Sequence, residues 1–269
     1  MVVIEQAWCR LLERVNKKLL SKSRKAISRY HAADCNGSFN DFEYWTPDER
    51  RELHEQILAI FSRHRHMVVS YTLNLKELVD EFPRAEEKSE NVANILLLSR
   101  IMEEISVRLF GDKRYSTDRI ALIHDHGMYD AVLLDAFNNK KSDETLKHRE
   151  QFVTIAPMCW EDCIPLQSAD FLAYENFKAA LRTPQGYKRR KTLELLLNLN
   201  SFGGIGSTIT RYGIKETMEK YDEAAKQKIL ENARIRSIHK PNDKSNEGSS
   251  HRNTGGSSRQ KRRKKAEEN

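Results

Sequence analysis

"IPLQSADFLAYENFK", residues 164–178, carries a carboxylate on what reads as the apolar side of a helix. At about 100° per residue, Leu166, Ala169, Ala173 and Phe177 fall within an arc of about 80°, and Asp170 lies about 20° beyond Phe177. Gln167 and Tyr174 follow next around the axis. A carboxylate in that position has to be solvated, paired or bound to metal, because bare burial of a charge is too costly. A helix-start Asp favoured by the macrodipole, or a simple ion pair, meets that condition as well as a metal does.

The rest of the chain alternates strand and helix patterns. Ile4, Trp8, Leu11, Leu12, Val15 and Leu19 form one stripe of a helix over Ile4–Leu20. "ISRYHAADCNGSFNDFEYW" reads as a loop with a short strand at Ile27–His31. Thr46, Pro47 and Glu49 supply an N-cap, a first-turn proline and a capping-box acid for a helix that buries Leu53, Ile57, Ile60 and Phe61. A strand over Met67–Leu73, a short helix at Leu75–Glu81 and a long helix at Ser89–Leu109 follow. "DRIALIHD" and "QFVTIAP" read as short strands on either side of a helix at Tyr129–Phe137. Helices are expected again at Tyr187–Leu199 and Lys215–Arg236. Strands separated by helices predict an α/β class.

Composition narrows the function classes. Of the 269 residues, 39% are apolar and 32% charged, and no apolar run is long enough to cross a bilayer. The start has no signal-peptide pattern. With only Cys9, Cys35, Cys159 and Cys163 present, a reducing, cytoplasmic setting with free thiols is expected. Cys159 and Cys163 make a lone C-x3-C without the further ligands that a zinc site needs. The net charge of +7 is concentrated at the end. Residues 236–269 hold ten Lys or Arg against four Asp or Glu, which leaves about +1 for everything before them. The segment 237–269 cannot bury enough apolar surface to offset its ordering entropy and is expected to be a disordered basic tail on a domain spanning 1–236. Its run Lys261, Arg262, Arg263, Lys264 and Lys265 is a candidate for non-specific phosphate attraction.

Two further polar groups stand out. Asp125 ends "IALIHD", and the carboxyl ends of strands in α/β sheets are where ligands gather. His31 and Asp34 in "RYHAADC" have the spacing to share one face at a helix start, or Asp34 is simply a cap. "SFGGIG", residues 201–206, does not match a phosphate-binding loop, and no Walker A, G-x-S-x-G or H-E-x-x-H occurs. The ATPase and nucleophilic-hydrolase classes therefore lose ground.

"RYHAADC", "IALIHDHG" and "PLQSADFLAYE" together resemble the family numbered 3800 among the domains of unknown function, over roughly residues 1–200. The most specific element is the Leu-Gln-x-Ala-Asp-x-x-Ala-Tyr pattern at Leu166, Gln167, Ala169, Asp170, Ala173 and Tyr174. The resemblance implies an RNase H-like mixed sheet flanked by helices, with acidic residues from separate elements converging on Mg²⁺ or Mn²⁺. Asp125 and Asp170 would be the metal ligands, Asp34 a further acid, and His31 a proton-transfer or phosphate-contacting group. Gln167 and Tyr174 would support them. Members of the family open with a strand bearing an Asp-Glu-Ser type motif, whereas this chain runs from "MVVIEQAW" straight into a helix. The fold is therefore expected to be N-terminally incomplete. The expected function is Mg²⁺-dependent cleavage of nucleic acid, with a non-catalytic nucleic-acid- or protein-binding member of the fold as the alternative.

Overall fold

The computed structural model describes residues 2–64, 68–182, 204–209 and 211–234, all within one compact unit, Met1–Arg236. Nine α-helices and four strands are found there. In chain order they are α1 (Val2–Ser21), α2 (Ala32–Gly37), α3 (Pro47–His64), β1 (Val68–Leu73), α4 (Leu75–Glu81), α5 (Ser89–Arg108), β2 (Ile120–Asp125), α6 (Asp130–Ser142), β3 (Phe152–Met158), α7 (Pro165–Arg182), β4 (Gly204–Ile209), α8 (Arg211–Lys220) and α9 (Glu223–Arg234). The α/β class stands, rich in helix. The expected helix at Tyr187–Leu199 and the tail, with Lys261 to Lys265, lie outside the described residues.

Where a mixed sheet was expected, the described strands pair only in parallel. β1 pairs with β4, Val68 opposite Gly204 through Leu73 opposite Ile209. β2 pairs with β3, with a register shift between Ile120 and Ala121 that leaves Asp125 opposite Met158. Parallel strands need covering elements; α5 and α7 both pack on β1, and α6 packs on β3.

Two apolar clusters fill the unit. One gathers Val92, Leu96, Met102, Phe137, Phe152 and Leu230 from α5, α6, β3 and α9. The other joins α1, the segments on either side of α2, α3 and α7 through Trp8, Tyr30, Phe42, Ile57, Phe61 and Phe171. The stripe of α1 is confirmed by the burial of Trp8, Leu11 and Leu19.

Two local expectations are corrected. Ile27–His31 forms no strand, because the chain bends at Ser28 and Arg29 and side chains take up backbone groups that a strand would pair. Asn16 Oδ1 accepts from the Ile27 N–H at 2.8 Å, and Asn16 Nδ2 donates to the Ile27 carbonyl at 3.0 Å. The face of α7 is also reversed. Ala169 and Ala173 are exposed and Phe177 is 49% exposed, while Gln167, Ser168, Phe171 and Glu175 point into the protein. The inward polar groups are tolerated where they are satisfied, and Gln167 shows how below.

The start of α3 follows the predicted capping box. Thr46 Oγ1 accepts from the Glu49 N–H at 3.2 Å, and Glu49 Oε2 accepts from the Thr46 N–H at 3.0 Å. Arg24 grips both carboxylate oxygens at 2.8 and 2.9 Å, and Lys22 adds a contact at 3.0 Å. Burial opposes the charge on Glu49, but the Thr46 amide, Arg24 and Lys22 outweigh it and hold the carboxyl at about 2. The folded value lies below the ordinary 4.5, so the stabilisation is complete above that pH and is lost as pH falls through about 2. Glu49→Gln is expected to cost about 1–2 kcal/mol at pH 7. Paired urea titrations should show the gap to wild type closing as the pH is lowered toward 2.

Candidate active site

Helix α2 begins without help from its own N-cap. His31 occupies that position with extended backbone (φ −130°, ψ 118°), and its side chain makes no capping bond. The first N–H of the helix, on Ala32, donates instead to Asp170 Oδ2 at 2.8 Å, across 138 positions of sequence. Asp170 is thus an N-cap supplied by α7, which meets an orphan donor and places a negative charge at the positive end of α2. Asp34, two residues further along, turns back to His31, with Nδ1 3.0 Å from Oδ2. Burial of Asp34 opposes its charge, yet hydrogen bonds from Asn40 and His31 prevail and hold its carboxyl below the usual range.

One turn earlier on α7, Gln167 is 4% exposed and secures the same loop. Its Oε1 accepts from the Tyr30 N–H at 2.8 Å and from the Trp8 indole at 3.1 Å. Of the proposed set, His31, Asp34, Asp170 and Gln167 therefore meet at the α2–α7 junction. Tyr174 packs against the neighbouring core and has the Lys178 ammonium 5.3 Å from its ring centroid, with no hydrogen bond to Asp170.

Asp125 is placed differently. It is exposed at the end of β2, and its carboxylate makes no hydrogen bond or ion pair among the described residues. The two histidines around it serve Asp130 at the start of α6. His126 Nδ1 lies 2.6 Å from Asp130 Oδ2, and His124 Nδ1 3.7 Å from Oδ1, which also accepts from the Gly127 N–H at 2.9 Å. Among the described residues, no group of three or more His, Cys, Asp or Glu side chains is arranged to hold a metal ion.

Sequence reasoning missed a buried polar cluster directly beneath the junction. His54 Nε2 sits 3.3 Å from Tyr30 Oη and 3.6 Å from Cys35 Sγ, and Glu175 is fully buried nearby. Burial pushes the Cys35 thiol up to about 12, which removes it as a nucleophile. The signal was present: His54 adjoins Leu53 on the inward stripe of α3, and Glu175 stands four residues after Phe171.

The junction opens on a cleft of about 820 Å³. His31 and Asp34 line it with Arg24, Lys25, Arg29 and Tyr44. Arg24 and Lys25 are engaged by Glu49 and Asp41. Arg29 instead stacks on Trp160, its guanidinium carbon 4.9 Å from the ring centroid. Such a wall combines carboxylates, an imidazole and a cation, groups able to bind a phosphate and move a proton.

No protein-family profile, curated protein or solved structure matches the chain. Among the described residues, no helix is long and apolar enough to cross a membrane. Gln167→Leu should leave the Trp8 and Tyr30 donors buried and unmet, at a cost of about 2–4 kcal/mol. Urea midpoints should fall accordingly, and far less for the exposed-face control Ala173→Ser.

Proposed function

We propose that the chain is an RNase H-like, Mg²⁺-dependent hydrolase of phosphodiesters in nucleic acid. The observation that carries this reading is the meeting of His31, Asp34 and Asp170, from distant parts of the chain, at the α2–α7 junction, with His31 and Asp34 on the wall of the adjoining cleft. Parallel strand pairs, an acid at the carboxyl end of β2 and an acid on a late helix agree with that fold.

The donors suit a hard cation. Mg²⁺ and Mn²⁺ favour oxygen ligands, and Mg²⁺ is commonly held by one or two carboxylates, with water and substrate phosphate oxygens completing its shell. Asp170 keeps Oδ1 beyond its bond to Ala32, and the Asp34 carboxylate, already contacted by His31 and Asn40, would share its lone pairs with the ion. These two residues would hold the ion, with Asp125 as the remaining carboxylate of the proposal. The ion would polarise a phosphoryl oxygen and make a bound water more acidic. His31 Nδ1 lies 3.0 Å from the Asp34 carboxylate, and in this reading Nε2 would take a proton from water or return one to a leaving oxygen.

A second reading keeps the fold and drops catalysis, leaving a protein that binds nucleic acid or a protein partner. Its support is that Asp170 and Asp34 each already spend an oxygen on a structural bond. One set of measurements separates the two readings. Asp170→Asn retains an oxygen for the Ala32 N–H, so the junction should persist while the charge is lost. Cleavage of labelled DNA or RNA in Mg²⁺ or Mn²⁺ should drop about 100-fold in Asp170→Asn and vanish in chelator. Equal cleavage by the variant, or in chelator, overturns the hydrolase reading. The second reading instead predicts binding without cleavage, weakened when Lys261, Arg262, Arg263, Lys264 and Lys265 are replaced by Gln.

A further inference from the structure

We propose that the cleft binds single-stranded nucleic acid, with Arg29 holding one phosphate and Tyr44 stacking on one base. This rests on the reading of the α2–α7 junction as phosphodiester-directed, and it adds the form of the substrate and two residues that recognise it.

Arg29 is the unusual cation of the cleft wall. Arg24 spends its guanidinium on Glu49, and Lys25 its ammonium on Asp41. Arg29 makes no hydrogen bond or ion pair among the described residues, and its guanidinium sits over the Trp160 ring. A guanidinium held by an aromatic ring loses little entropy on binding and keeps its N–H fork for a phosphate. Its charge reaches the junction, since it helps to hold the Asp34 carboxyl down. A phosphate on Arg29 would therefore lie on the same wall as His31 and Asp34.

Tyr44 is 79% exposed and makes no hydrogen bond or ring contact among the described residues. Its backbone is well anchored. Phe42 and Trp45 on either side are buried, their ring centroids are 5.1 Å apart, and the Trp45 N–H donates to the Phe42 carbonyl at 3.1 Å. A fixed backbone thus presents an exposed aromatic face on the same cleft as the cation. Only an unpaired strand offers base faces to such a ring, and stacking of this kind tolerates any base.

The charge balance points the same way. Asp34, Asp41 and Glu43 offset Arg24, Lys25 and Arg29 around the cleft, so no positive stripe follows a duplex backbone. One phosphate contact and one stacked base fit this wall, and 820 Å³ is within the range of small-ligand sites.

The test is fluorescence anisotropy with the full chain in chelator, where no metal-dependent cleavage can occur. The probes are labelled oligo-dT and oligo-rU of ten nucleotides and a duplex of the same length. Arg29→Ala should weaken single-strand binding about tenfold and make the slope of log K against log salt shallower by about 0.7. Arg29→Gln, which keeps a planar group over Trp160, should give the same loss. Tyr44→Ala should weaken binding about tenfold with the slope unchanged, and Tyr44→Phe should bind as wild type. Comparison of dT with rU assigns the strand to DNA or RNA. Wild-type affinity in both Arg29→Ala and Tyr44→Ala, or duplex binding as tight as single-strand binding, overturns the proposal. Asp170→Asn separates this proposal from the hydrolase reading. Arg29- and Tyr44-dependent binding with no cleavage by wild type sinks that reading alone. Asp170-dependent cleavage with unaltered binding in the Arg29 and Tyr44 variants sinks this proposal alone.

Discussion

One side-chain oxygen holds the candidate site in place. Gln167 Oε1 accepts both the Trp8 indole and the Tyr30 amide, and so fastens α1 and the loop before α2 to the same turn of α7. The next turn of α7 brings Asp170 to the Ala32 amide. Buried donors left unmet cost about 1–3 kcal/mol each, so the two acceptors fix the register of the loop against the helix. His31, Asp34 and the mouth of the cleft inherit their positions from that register. Aromatic packing makes the arrangement rigid, with Tyr30 in edge contact with Trp8, Phe42 and Phe171.

Asp170 consequently has a structural task of its own. It caps α2 whether or not an ion is present, and its charge opposes the partial positive charge of that helix start. The structural and catalytic roles draw on different atoms, Oδ2 for the cap and Oδ1 for any ligand. An Asn substitution can therefore separate them where an Ala substitution would remove both.

Much of the architecture was legible because period and capping chemistry agree. The α3 capping box, the α1 stripe, and the strands at β1, β2 and β3 follow from short patterns whose partners are local or generic. Strand β4 escaped notice because Gly204 and Gly206 lower its β-propensity, and its pairing with β1 is set by a distant segment. The single helix expected at Lys215–Arg236 is two, since Asp222 caps α9 by accepting from the Ala225 N–H at 2.7 Å. At the site, residue identity was readable and orientation was not. Counting apolar residues put Ala169, Ala173 and Phe177 inward, whereas Gln167 and Glu175 occupy that side. Polar groups bury well only where matching donors arrive from elsewhere in the chain, and a one-dimensional pattern does not contain them.

The parallel pairing of β1 with β4 also bears on how the molecule is made. Val68 finds Gly204, and Tyr30 finds Gln167 137 positions away, only after most of the chain has left the ribosome. Contacts of such long sequence range pay loop-closure entropy before they return any energy, which slows folding. Until β4 emerges, the hydrogen-bonding edge that β1 later gives to it stays open to other extended chains. Helices α1 and α3, which pack on each other and lie early in the sequence, can associate first and shield part of the apolar surface during that interval. The same topology that draws the junction together thus sets a slow, aggregation-exposed step in its synthesis.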